Sequence, residues 1–159
     1  VIFDDAADFA AACPPGLPLA GLDLGTKTIG IALSDRRHQI ASPLETLRRK
    51  KFTQDAEALE VVFKAREVTG IVLGLPRNMD GSEGPRAQST RAFARNLQAR
   101  RAPALPILLW DERLSTVAAE RALLEADTSR KRRAEVIDHV AAGVILQGAL
   151  DRLSHLGAC

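Results

Sequence analysis

The stretch Leu19–Asp35, LAGLDLGTKTIGIALSD, constrains this chain more than any other. Read with the two-residue period of a strand, Leu22 and Leu24 fall on one face and Gly21, Asp23 and Gly25 on the other. After a turn at Gly25-Thr26-Lys27, Ile29, Ile31 and Leu33 are apolar, while Gly30, Ala32 and Ser34 make a small-residue face. The pattern predicts a hairpin with one face in a core. Its other face holds one carboxylate between glycines, where a second element or a ligand can approach closely. Aspartate is disfavoured in strands and costly where water is scarce. Asp23 therefore reads either as a strand-end carboxylate satisfied at its turn or as a group that meets a metal ion or a phosphate.

At 159 residues the chain is long enough to bury a core without staples, and we expect one domain. We place it at 19–153, with an extension over 1–18 and a tail over 154–159. The extension ends in Cys13-Pro14-Pro15-Gly16-Leu17-Pro18, which cannot be regular helix or central strand, and it reads as peripheral to the chemistry. No apolar run has the length of a membrane span, and the acidic start (Asp4, Asp5, Asp8) is not a signal peptide. Cys13 and Cys159 lack metal-ligand spacing; a reduced, cytoplasmic protein is the expectation, a clip between the termini the alternative.

The formal charge is only +2, but twelve of the 22 basic residues fall in short clusters: Arg36-Arg37, Arg48-Arg49-Lys50-Lys51, Arg100-Arg101 and Arg130-Lys131-Arg132-Arg133. Each alone could be a solvated loop or helix end. Four in one small domain point to nucleic acid, provided the fold gathers them. With no tyrosine in the chain, stacking on single-stranded bases is not expected to dominate.

Beyond the hairpin, Arg36-Arg37-His38 predicts a turn and Gln39–Leu47 a third strand, with Pro43 marking an edge or bulge. Phe52, Ala56, Leu59 and Phe63 follow helical spacing up to Arg66. Ile71–Leu75 reads as a buried parallel strand stopped by Pro76. A polar loop over 77–84 leads to Pro85, the start of a weakly amphipathic helix to about Arg100 anchored by Phe93 and Leu97. Ile107–Trp110 is a second buried strand, ending in Asp111-Glu112-Arg113. Ser115 would cap a helix to about Ala126, and a last helix spans Arg133 to about Leu153. The expected fold class is α/β: a mixed five-stranded sheet, three antiparallel strands then two parallel, flanked by helices.

Three acids sit where acids are expensive. Asp23 lies in the first strand. Glu112, with its neighbour Asp111, ends the second parallel strand, at the edge where open α/β sheets place ligand-binding groups. Asp138 lies in the last helix among Ala141, Ala142 and Ile145, and so points at protein; Glu135, one turn earlier, either shares the site or is solvated. Mg²⁺ or Mn²⁺ prefers such oxygen ligands, and two such ions could support phosphodiester hydrolysis. His139 has no partner histidine at ligand spacing and reads as a core or interface residue, as Trp110 reads as core. Asn78 reads equally as a phosphate or sugar contact and as a turn residue.

Four segments, GLDLGTKTIGIALSD (21–35), GLPRNMDGSEGPRA (74–87), DERLSTVAAERAL (111–123) and DHVAAGVIL (138–146), resemble the YqgF family in order and spacing. That family is known for Holliday-junction resolvases and for nucleases of the 5′ end of pre-16S rRNA. The resemblance implies an RNase H-like fold, with catalytic and metal-binding acids at Asp23, Glu112 and Asp138. It implies Mg²⁺ or Mn²⁺ as cofactor. Lys27, Arg77, Asn78 and Arg113 would contact nucleic acid near the scissile phosphate, and Arg132 and Arg133 are further candidates from the last basic cluster. The partner expected is RNA (pre-16S rRNA) or branched DNA, with no membrane, no nucleotide cofactor, and a monomer or homodimer as the acting form. In better-known RNase H-like nucleases the second acid comes from the first parallel strand after the hairpin. Here that strand ends in Gly74-Leu75-Pro76, and the acid arrives one strand later.

Two other classes compete. LDLGTKTIG also resembles the phosphate-binding hairpin of sugar kinases and actin-like ATPases, which need two such domains around a nucleotide. A non-catalytic nucleic-acid-binding factor would keep the basic clusters but would not need all three acids.

Overall fold

A computed structural model describes residues 1–100, 104–114 and 130–157 of the protein, with 130–138 described by backbone alone. The elements are β1 (Ile2–Phe3), α1 (Ala6–Ala12), β2 (Leu19–Leu24), β3 (Thr28–Ser34), β4 (Ala41–Arg48), α2 (Phe52–Ala65), β5 (Gly70–Leu75), α3 (Pro85–Arg100), β6 (Ile107–Asp111), a 3-10 turn (Glu112–Leu114) and α4 (Arg130–His155). The helix expected from Ser115 to Ala126 lies outside the described residues.

All the described strands join one sheet in the order β1-β6-β5-β2-β3-β4. The hairpin β2–β3 and the pair β3–β4 are antiparallel; β2–β5, β5–β6 and β6–β1 are parallel. The sheet has six strands rather than the five expected, because Ile2 and Phe3 register with Ile107 and Leu108. Two residues are too few to show a strand period, yet they cover the edge β6 would otherwise leave unpaired. A register shift in β4 opposite Ile31/Ala32 falls beside Pro43, which cannot donate to a ladder.

The hairpin's two faces sort as their side chains dictate. Leu22, Leu24, Ile29 and Ile31 pack with Leu73, Ile107 and Leu109 under α2 and α3, against Leu59, Phe63, Phe93 and Leu97. The opposite face carries α4 and α1. There Ala32, Val72, Leu108 and Trp110 meet Ala142, Ile145, Leu146 and Ala149 of α4 and Phe9 of α1. α4 lies close because Gly21 has no side chain: a Cβ there would stand 2.6 Å from Leu146 Cβ and 2.9 Å from the Ala142 carbonyl. None of the described helices is long and apolar enough to cross a membrane.

Candidate active site

Asp23 is the penultimate residue of β2, on the face that Gly21 opens to α4, and only 2% of its surface is exposed. Across the sheet it registers with Gly30, and Gly30 with Thr46. Thr46 Oγ1 is hydrogen-bonded to His139 Nδ1 of α4 at 3.0 Å. One turn further along α4, Gly143 lies against Pro43. These contacts fix the helix register, and they put the backbone of Asp138 at the level of Asp23. The side chains of Asp138, Glu135, Arg132 and Arg133 lie outside the described residues.

Glu112 reaches the same face from β6 by way of a notch. Gly74, on β5 between β2 and β6, registers with Trp110 and stands one position beyond the Leu22–Leu73 pair. A Cβ on Gly74 would sit 2.6 Å from Ile145 Cδ1, 3.0 Å from Glu112 Oε1 and 3.3 Å from Glu112 Cγ. The carboxylate of Glu112 thus occupies the space a side chain on β5 would fill. An acid from the next strand stands where the strand beside β2 could have carried one.

Asp111 takes the other face. Arg113 Nε lies 3.1 Å from both of its oxygens and Arg113 Nη2 2.7 Å from Oδ2, while the Arg113 backbone N–H donates to Oδ1 at 3.0 Å. Arg77 Nη1 approaches Oδ2 at 4.0 Å. The Arg113 guanidinium holds the Asp111 carboxyl below the usual carboxylate range, against the opposing effect of partial burial. Two adjacent acids therefore separate by face, although the strand ends at Asp111 and Glu112 opens the 3-10 turn.

The loop over 77–84 is held together from within. Asn78 donates from its backbone to the Ser82 carbonyl (2.9 Å) and from Nδ2 to Ser82 Oγ (3.0 Å), and Ser82 donates to Asp80. Arg77 Nη2 lies 3.5 Å from Glu83 Oε2, and Arg113 Nη1 donates to the Met79 carbonyl at 3.5 Å. Arg77, Asn78 and Arg113 thus lie near the carboxylate edge, but in this structure they contact protein groups. Lys27 is exposed on the β2–β3 turn.

Two arginines that sequence reasoning did not single out brace that turn. Arg49 donates from Nη1 to the Gly25 carbonyl (2.7 Å) and from its backbone to the Lys27 carbonyl (2.8 Å), with its guanidinium 5.8 Å from the centre of the Phe93 ring. Arg86 Nη2 donates to the Leu24 carbonyl at 3.4 Å. Only the alternation of an extended chain, which turns Arg49 inward between outward Arg48 and Lys50, hints at this.

The donors at this edge are oxygens, and the nearest imidazole in register, His139, has its Nδ1 engaged by Thr46. That chemistry suits a hard divalent cation better than zinc. Among the described residues no three His, Cys, Asp or Glu side chains form a group that could hold a metal ion.

A family model described as RuvX, Holliday junction resolvase, matches residues 18–152, the span from β2 nearly to the end of α4. A protein of Ruegeria pomeroyi named "Putative pre-16S rRNA nuclease" is 69% identical over 156 residues, covering 98% of this chain and 100% of that one. A Paracoccus denitrificans protein of the same name is 68% identical over 157 residues, covering 99% and 98%. Among solved structures, Thermus thermophilus RuvC in complex with Holliday junction substrate aligns with a TM-score of 0.53 at 12% identity, covering 89% of this chain and 97% of that one. The yeast mitochondrial Holliday junction resolvase aligns with a TM-score of 0.51 at 11% identity, covering 94% and 86%. These two likenesses show the fold, the RNase H-like mixed sheet, and the span matched by the family model contains Asp23, Glu112 and Asp138. The chain belongs to the RuvX family, the family its four motifs resemble under the name YqgF.

Proposed function

We propose that this protein is a cytoplasmic, divalent-metal-dependent nuclease that hydrolyses phosphodiester bonds of pre-16S rRNA. The observation that carries the reading is the convergence of Asp23 and Glu112 on one face of one sheet edge, with Glu112 filling the notch of Gly74. Asp138, level with Asp23 along α4, is the third acid of the proposal. The names of the relatives support the RNA substrate.

In hydrolysis, a water oxygen attacks phosphorus in line with the leaving oxygen, the P–O bond to that oxygen breaks, and the water gives up a proton. Asp23 and Glu112 would hold a divalent ion, and either would be a candidate to take that proton. When bound, Mg²⁺ or Mn²⁺ would lower the pKa of the attacking water and stabilise the leaving oxygen. Arg49 and Arg86 keep the turn after Asp23 in place, so this carboxylate is positioned before substrate arrives.

A second reading, cleavage of four-way DNA junctions, is favoured by the description of the matching family model. One experiment separates them: a labelled 16S rRNA precursor and a four-way DNA junction, side by side with Mg²⁺, Mn²⁺ or EDTA. We expect metal-dependent cutting of the RNA, abolished by EDTA and lost in Asp23→Asn, Glu112→Gln and Asp138→Asn. Cutting of the junction alone would transfer the reading to a resolvase. Binding without cutting in any metal would leave a non-catalytic factor.

A further inference from the structure

The two sides of the carboxylate edge differ in how their cations are engaged. On its β6–β1 side a cavity of about 500 Å³ is lined by Asp4, Asp5 and Asp111, with Arg77 and Arg152. On its other side, the β2–β3 turn meets the junction between β4 and α2. The Arg49 backbone donates to the Lys27 carbonyl at 2.8 Å, and Arg48 registers with Thr28. This gathers Lys27, Arg48, Lys50 and Lys51, all exposed, at one corner. None of the four is in an ion pair among the described residues. The nearby acid, Asp55, is buried and occupied, accepting from the Lys50 backbone at 2.8 Å with Arg49 Nε 4.0 Å away. Arg48 stands two residues beyond Thr46, on the face that Asp23 and α4 share.

We propose that this corner is the track on which the nucleic-acid backbone approaches the carboxylates. Phosphates flanking the scissile one lie against Lys27, Arg48, Lys50 and Lys51, and the nucleic acid crosses the β3–β4 side of the sheet rather than the β6–β1 side, where Arg77, Arg91 and Arg113 are engaged by Glu83, Asp4 and Asp111. The whole molecule carries a formal charge of only +2, less than these four cations supply, so attraction is local to the corner. Two other clusters are placed differently. Arg36 and Arg37 follow β3 at the opposite end of the sheet, where Arg36 pairs with Glu67 at 2.6 Å. Arg100 lies against Glu60 and Glu57 at 3.0 and 3.8 Å. The inference rests on the nuclease reading, and it adds which surface carries the substrate and from which side.

The test is binding in EDTA, so that affinity is read without cleavage. The probes are a fluorescent stem from the 5′ end of 16S rRNA precursor and a four-way DNA junction, titrated between about 50 and 200 mM salt. The triple variant Arg48→Ala/Lys50→Ala/Lys51→Ala should flatten the slope of log affinity against log salt by about 2 to 3. Its melting temperature should hold, because these side chains are exposed. Arg36→Ala/Arg37→Ala should leave the slope as it is. An unchanged slope in the triple variant, equal flattening in the control pair, or no salt-dependent binding by the native protein would overturn the track. A native protein that binds with this slope yet cuts neither substrate would keep the track and defeat the nuclease reading instead.

Discussion

At Asp111 and Glu112, acids one residue apart meet different surroundings. Asp111 is gripped by the guanidinium of Arg113, and Glu112 reaches over Gly74 toward the face of Asp23. Exchanging either for its amide should therefore have distinct effects. Glu112→Gln is expected to reduce cleavage by on the order of a hundredfold or more, with the fold intact. Asp111→Asn should leave most of the turnover and lower stability. The pH dependence checks the second claim. Because the folded pKa of Asp111 lies below its unfolded value, its stabilisation is fully present above about pH 4 and disappears as pH falls through the lower, folded value. The melting temperatures of native protein and Asp111→Asn should thus differ at neutral pH and converge in acid. A difference that is constant with pH would show that the Arg113 pair contributes nothing.

Among the elements, β2 was the most legible in the sequence. Its alternation sorts leucines from glycines, and the structure puts Leu22 and Leu24 in the core beneath α2 and α3; the burial of the glycine face as well, under α4, is more than the expected single core face. The two buried strands followed from their apolar runs, and the last helix was expected from Arg133, although it begins at Arg130 within the basic cluster. What the sequence could not show is why particular glycines recur. Gly21 and Gly74 look alike in a strand pattern, but they meet different partners across the sheet, which only the packing of α4 reveals. The role of Arg49 was hidden for the same reason, since in sequence it is one of four consecutive cations. These two glycines yield a paired prediction. Gly21→Ala would drive a methyl into Leu146 and the Ala142 carbonyl, and should cost about 3 kcal/mol, read by denaturant midpoint. Gly74→Ala would press on Ile145 and on the Glu112 side chain. Its stability loss should be accompanied by a drop in kcat that Gly21→Ala, measured while folded, does not share. Equal kcat losses in both would mean that the notch has no special bearing on Glu112.

Over the whole molecule, residues 1–18 contribute more than their composition suggested. Sequence reasoning treated them as an extension peripheral to the chemistry; the structure packs Phe9 and Cys13 at the end of the sheet remote from Asp23, while Asp4 and Asp5 line the cavity beside Asp111. β1 covers β6, and Phe9 of α1 is fully buried, edge-on to Phe3 at 6.3 Å between ring centres. At Gly70 a Cβ would lie 2.8 Å from Cys13 Sγ and 3.0 Å from Phe9 Cζ, so the start of β5 is closed by this segment. Burial pushes the Cys13 thiol up to about 12, which keeps it protonated and unreactive while the packing holds. Phe9→Ala removes the central filler of this end. It should cost about 3 to 5 kcal/mol and lower the melting temperature by roughly 10 °C. Modification of Cys13 by a thiol reagent, followed on its own peptide, should accelerate in the same variant. The carboxylate edge lies at the other end of β2, so kcat and KM measured well below the melting temperature should match the native protein. A variant with native kcat, lowered stability and fast Cys13 labelling would define residues 1–18 as a brace for the fold. A fall in kcat under conditions where the protein stays folded would instead show that this end of the sheet communicates with the carboxylates.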